Sequence, residues 1–178
     1  IYTLSLPRRS SDLDLITVQS NMGEEDTINY TQGSGSYEEG STHYILAQAG
    51  EHYSFIGWHD GPYNGPEDDD VIHSTEHRRY YKVMSDSLFT AIFEPTYYTV
   101  RAIPATGHES YGTVTGSDTV TYGSTVTVSA EAAEGYAFDY WRKNYSNTLI
   151  YDNPLTEVVT ADVTYRAFFK ALEGIEDG

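Results

Sequence analysis

His73-Ser74-Thr75-Glu76-His77 has residue types at the spacing of a short catalytic pattern, the H-x-x-E-H arrangement of inverted zinc peptidases. That chemistry needs both imidazoles on one helical face as ligands, Glu76 as general base for a metal-bound water, and a third ligand from elsewhere. Ser74 and Thr75 are mediocre helix formers, and the match falls in a loop insertion of a small domain. A catalytic zinc site is therefore not expected here. Asp60-Gly61, followed by Glu67-Asp68-Asp69-Asp70 in a Pro/Gly-containing loop, invites a different cation. Ca²⁺ takes roughly six to eight oxygen ligands, which clustered carboxylates on a turning backbone can supply. Asp60, Asp68, Asp69 and Asp70 are the candidate calcium ligands; no cofactor is expected, Ca²⁺ being the one the sequence leaves open. Against them stands the plain alternative of a solvated acidic loop, since the spacing lacks the alternation and terminal Glu of an EF-hand.

Other chemistries find less support. With 27 Asp+Glu, carboxylate pairs of the kind glycosidases use arise by chance, and a pair needs a substrate pocket to become a site. There is no Gly-x-Ser-x-Gly elbow and no Gly-rich loop followed by Lys. The absence of Cys removes disulfides, thiolate metal sites and cysteine nucleophiles. No enzyme is expected. A net charge of −17, from 10 Lys+Arg against 27 Asp+Glu, disfavours nucleic acid and anionic membrane surfaces. No apolar run approaches the roughly 20 residues of a membrane helix. The charge is uneven: residues 14–77 carry 13 carboxylates and no Lys or Arg, with Arg78, Arg79 and Lys82 just beyond.

The elements that must position these residues are strands in two diverged copies. Gly40-Ser41-Thr42 leads to Tyr53-Ser54-Phe55-Ile56-Gly57-Trp58, and Gly123-Ser124-Thr125 leads to Tyr136-Ala137-Phe138-Asp139-Tyr140-Trp141, at an offset of 83. Ile16-Thr17-Val18 aligns with Tyr98-Thr99-Val100 at 82, and Ser85 to Phe93 aligns with Ala161 to Phe169 at 76. The first copy thus gains about seven residues after its Trp, a loop difference. Val126, Val128 and Ala130 alternate with Thr and Ser, as a half-buried strand does. Phe89, Ala91 and Phe93, with Tyr165, Ala167 and Phe169, are core candidates. Phe138 and Trp141 have the wrong parity for one strand face unless a bulge separates them. Ser74 to Met84 is the one weak helix candidate. Phe55, Trp58, Phe93, Phe138, Trp141 and Phe169 form the structural signature. The 17 Tyr suit both sheet packing and adaptable binding surfaces.

Residues 1–13 contain Thr3-Leu4-Ser5-Leu6 and Arg8-Arg9-Ser10-Ser11-Asp12-Leu13, which look like translated sequencing-adapter DNA, and are expected to be a non-native leader. The modules are expected at 14–95 and 96–170, with 171–178 an acidic linker. The order of Tyr-Thr-Val strand, Gly-rich hairpin, Gly-Ser-Thr-Val-Thr-Val at 123–128, Gly135-Tyr136-Ala137-Phe138, Trp141 and a closing Ala-x-Phe resembles the divergent internalin-type B-repeat of bacterial surface proteins. Trp58-His59-Asp60-Gly61 keeps the family's Trp-x-Asp-Gly, whereas Trp141-Arg142-Lys143-Asn144 does not. The resemblance implies an all-β protein of two tandem β-grasp-like modules, exported to the extracellular space or cell surface and non-catalytic. Such modules serve as stalk, spacer or adhesion segments, next to other domains of a longer chain. It leaves a protein or glycan as partner, with no nucleic acid and no membrane insertion. The alternative reading is a carbohydrate-binding module using surface Tyr and a calcium-assisted acidic loop.

Overall fold

Val126, Val128 and Ala130 are buried in a strand whose alternating Thr residues face solvent. Alternation of this kind repeats along a computed structural model that describes residues 13–66 and 72–173. Among these there is no helix, and the residues fall into two compact units divided between Pro95 and Thr96.

The first unit contains β1 (Leu13–Ser20), β2 (Tyr30–Gln32), β3 (Gly35–Glu38), β4 (Thr42–Gln48), β5 (Tyr53–Asp60), β6 (Arg78–Lys82) and β7 (Ser87–Pro95). A four-stranded sheet runs β3-β1-β7-β5, and a three-stranded sheet runs β2-β4-β6. The second unit contains β8 (Tyr97–Pro104), β9 (Gly112–Thr115), β10 (Asp118–Thr121), β11 (Thr125–Ala132), β12 (Tyr136–Lys143), β13 (Leu149–Ile150), β14 (Leu155–Val158) and β15 (Val163–Ala171). Its sheets run β10-β8-β15-β12-β13 and β14-β11-β9. The first and last strands of each unit are parallel neighbours, β1 with β7 and β8 with β15, while every other pairing is antiparallel. β1 opens at Leu13, the last residue assigned to the leader; residues 1–12 lie outside the described residues.

Each core lies between a unit's two sheets. Ile16, Ile45, Ala47, Trp58, Val83, Phe89, Ala91 and Phe93 build one. Val100, Val128, Ala130, Trp141, Val159, Tyr165, Ala167 and Phe169 stand at the matching places of the other. The parity problem at the aromatic strands is solved by a bulge in each copy. Pairing slips between Phe55 and Gly57 in β5 and between Phe138 and Tyr140 in β12. The extra residue turns Phe and Trp to the same side, and the rings meet at 5.6 Å (Phe55–Trp58) and 5.4 Å (Phe138–Trp141).

Two sequence expectations fail. The opening strands align with Ile16 at Val100, not Val18 at Val100. Ile16 pairs with Ser87 as Val100 pairs with Val163. The Asp86 carboxylate accepts from the Leu15 N–H at 2.6 Å as Asp162 accepts from Thr99 at 2.7 Å. The Ser34 hydroxyl accepts from Val18 as Ser117 does from Ala102, both at 2.9 Å. The offset is therefore 84; a two-residue slip keeps every side chain on its own face, so alternation alone does not detect it. The helix over Ser74 to Met84 is also absent. Arg78 to Lys82 is β6, antiparallel to β4, with Tyr80 exposed and Arg79 and Tyr81 turned inward. Strand pairing with β4 satisfies its backbone where weak helix formers could not.

Candidate functional site

Bulges and strand ends bring the chemically capable residues around the two tryptophans. Trp58 and Trp141 are fully buried, and each indole N–H donates to a backbone carbonyl: Glu76 O at 3.0 Å and Asp152 O at 3.1 Å. The next residue ties the same segment to the facing sheet. Asn153 brackets Ala130 with its side-chain amide, accepting from the backbone N–H at 3.0 Å and donating to the carbonyl at 2.7 Å. His77 takes its place in the first unit. Its carbonyl accepts from Ala47 N–H at 2.9 Å, and its Nδ1 lies 3.0 Å from Ala47 O, where it donates as the Nδ1–H form. Phe93 and Phe169 sit in the last strands, buried beside Phe55 and Phe138.

This clamp corrects the reading of His73-Ser74-Thr75-Glu76-His77 as part of the inserted loop. Its C-terminal residues are the counterpart of Asp152-Asn153, which the second unit also has. The insertion lies earlier, because eighteen residue steps separate Trp58 from Glu76 and eleven separate Trp141 from Asp152. The segment is extended: Ser74 bridges to Trp58, and His73 N–H donates to Trp58 O at 2.8 Å. His73 faces His59, with ring centroids 5.9 Å apart, while His77 packs on Phe55 at 5.0 Å. The two imidazoles therefore do not converge as zinc ligands of a helical site. No signal in the sequence marks a clamp that works through backbone carbonyls.

Asp60, the first candidate calcium ligand, forms a two-pronged ion pair with Arg79. Burial pulls the Asp60 carboxyl upward, but the Arg79 hydrogen bonds and charge, with His73 and His59 nearby, hold it below the usual Asp range. Asp68, Asp69 and Asp70 lie outside the described residues, and among those described no three His, Asp or Glu are grouped to hold a metal. An open cleft of about 380 Å³ beside this ion pair is lined by Asp60, Arg79, Tyr81, Lys82 and Phe89.

The second unit reverses the polarity at the same strand end. Lys143, at the place of Asp60, pairs with Glu157, whose carboxylate also accepts from the Tyr165 hydroxyl at 2.6 Å. Burial raises the Glu157 carboxyl, yet the Lys143 and Tyr165 hydrogen bonds and the lysine charge bring it below the usual Glu range. Burial and the carboxylate push the Tyr165 phenol well up. Glu157 corresponds to Tyr81, whose hydroxyl is buried with no hydrogen-bond partner; burial, with Tyr37 adding to it, pushes that phenol up to about 12.

A bulged aromatic strand, a clamped tryptophan and a parallel pair of terminal strands, all present twice, define a tandem all-β repeat protein. The family model for the divergent InlB B-repeat domain matches residues 16–97 and 98–173, and the chain belongs to that family. The family is one of bacterial surface-protein repeats. No curated protein and no solved structure matches the chain.

Proposed function

We propose that the chain is a non-catalytic, force-carrying segment of an exported bacterial surface protein, which spaces or presents neighbouring domains. The observation that carries this reading is the parallel pairing of first and last strands in each unit. Tension applied at the ends of a unit runs along both strands in opposite directions. The ladder between them is then loaded in shear, so its hydrogen bonds must break together rather than one at a time. Membership of a surface-repeat family supports the same conclusion, as does the sharing between units of core and clamp rather than of any reactive set. Among the described residues no helix is long and apolar enough to cross a membrane. Tethered by its ends in a force spectrometer, the chain is expected to extend in two steps, each releasing roughly 25–30 nm at about 3.6 Å per residue. A smooth extension without steps contradicts the reading.

One observation favours a second role, carbohydrate binding assisted by calcium at the acidic loop. Tyr44 and Tyr80 are exposed cross-strand partners on β4 and β6, edge to face at 6.0 Å, with Arg78 4.8 Å over the Tyr44 ring. Exposed aromatic pairs of this kind offer rings to a sugar. A glycan array with and without calcium tests it: saturable, calcium-dependent hits support the role, and their absence removes it.

A further inference from the structure

One sheet face is treated oppositely in the two units. In the first, the outer face of β5 and β7 is covered by the chain itself. Thr90 and Ile92 are 1% exposed and His59 6%. The Thr90 hydroxyl donates to Gly61 O at 2.6 Å, and Ile72 occupies the space a side chain on Gly57 would need, its Cγ2 2.3 Å from that Cβ position. In the second unit, which lacks the insertion, the corresponding residues are Arg166, Phe168, Arg142 and Tyr140. Tyr140 pairs with Phe168 and Arg142 with Arg166 across β12 and β15.

That placement is electrostatically unusual. Two arginines are direct cross-strand partners on neighbouring strands, an arrangement that disfavours the sheet, and their guanidinium groups go to different partners, Arg166 lying 5.2 Å over the Tyr145 ring. Arg142 lies 5.2 Å from the Phe168 ring and 5.7 Å from Tyr140, and its Nε is buried without a hydrogen-bond partner. Arg166 reaches the Asn144 carbonyl at 3.0 Å and spends only one of its donors there. Arg101 is exposed on the same side of β8, and Lys170 nearby is paired with Asp139 at 3.2 Å. Tyr140 and Phe168 are half-buried and stacked at 4.7 Å with planes 22° apart, with Tyr151 6.4 Å from Tyr140 and His108 5.3 Å from Phe168. A sugar stacks on an open ring face, whereas these two rings already face one another with the Arg142 guanidinium beside them.

The geometry points to this face as a docking site for an extended acidic peptide segment of a partner protein, its carboxylates received by Arg142 and Arg166. Guanidinium forks match carboxylates in two-pronged fashion. The first unit supplies the reason for a peptide rather than a glycan, because there the chain's own Gly61 carbonyl and Ile72 side chain already occupy the equivalent face. The inference does not depend on the chain carrying force, so either can fail alone.

The test is a fluorescence-anisotropy titration of the full chain with a labelled decapeptide of alternating Glu and Thr, at low and high salt. Saturable binding that weakens with salt is expected, falling at least tenfold in an Arg142→Gln/Arg166→Gln variant. A Lys82→Gln control in the first unit is expected to bind as the parent does. The double arginine variant is expected to stay folded, with the parent's far-ultraviolet circular dichroism; a fold lost with the arginines would assign them a structural role and overturn the site. No saturable binding, equal binding of a Lys-Thr decapeptide, or preference for an oligogalacturonate over the acidic peptide would each overturn the proposal.

Discussion

Residues on the inner side of the two units are nearly interchangeable, and residues on the outer side are not. Ile16 stands where Val100 does, Ala47 where Ala130 does, and each Trp is clamped by a carbonyl from an equivalent strand-end segment. Outside, the first unit lays Gly61 and Ile72 on the β5/β7 face and leaves Tyr44, Tyr80, Arg78 and Lys82 exposed on the facing sheet. The second leaves the β12/β15 face open with paired arginines and shows Thr-rich β11 on the other side. The scaffold is thus set by a small core, a bulge and a backbone clamp. A seven-residue difference in one loop decides which surface is available, and Gly57 against Tyr140 is its local signature. The charge at the strand end is opposite in the two units, Asp60 against Lys143, and each finds its partner at a different place on the facing strand, Arg79 in one and Glu157 in the other.

The largest effect should come from the shared part. Trp141→Ala is expected to remove about 3–5 kcal/mol from the second unit, so that urea unfolding splits into two transitions with the first unit's midpoint unmoved. Trp58→Ala should give the mirror image, and a mutant melting like the parent would break the equivalence. Next, Gly57→Val forces a side chain into Ile72 and the Ser74 carbonyl. About 1–3 kcal/mol should be lost for such overpacking, with increased proteolysis between Gly61 and His73. Valine at Tyr140 should show no such clash, because no loop lies over it.

A smaller difference is expected within the clamp. Asn153→Ala leaves the Ala130 N–H and carbonyl without their partner, at a cost of about 1–3 kcal/mol. His77→Ala should cost less than this, since the backbone carbonyl of residue 77 still receives the Ala47 N–H. Chemical denaturation of both variants ranks them.

The ion pairs separate the units by pH. Because Glu157 is held below its ordinary 4.5, its contribution is complete above that pH and is lost as pH falls through the lower folded value. Asp60, held below 3.8, loses its contribution in the same way as pH falls through its own folded value. On acidification both units should weaken, and Glu157→Gln should flatten the acid limb of the second unit alone. At the alkaline end the raised Tyr81 phenol favours the fold fully below about pH 10 and less as pH passes about 12. Tyr81→Phe should therefore flatten the alkaline loss attributed to it while changing neutral stability by less than about 1 kcal/mol, since its hydroxyl has no partner to lose.

Much of the scaffold was legible in the sequence because it is written in side chains. Period-two alternation marked β11 and β15, and the three-residue spacing of Phe138 and Trp141 required the bulge that is present. What stayed hidden is written in backbone. The clamp accepts indole N–H groups through carbonyls at Glu76 and Asp152, which any residue supplies, so His73 to His77 looked like chemistry rather than architecture. Register at β1 escaped because Val18 and Ile16 share a face. Strand order, and with it the parallel pairing of the terminal strands, follows from no local pattern. The open arginine face was readable in part, from the missing loop and from Arg142 and Arg166, but only pairing across β12 and β15 puts them side by side.

That parallel pairing is the centre of the functional reading, and the direction of pulling tests it. The chain has no Cys, so paired thiols can be placed at will. In a Thr96→Cys/Leu172→Cys variant, force from opposite ends loads β8 against β15 in shear; in Tyr97→Cys/Ala161→Cys, force at one end unzips the same ladder. At equal loading rate the first geometry is expected to hold to a force severalfold higher than the second. Equal forces in the two directions would contradict the account.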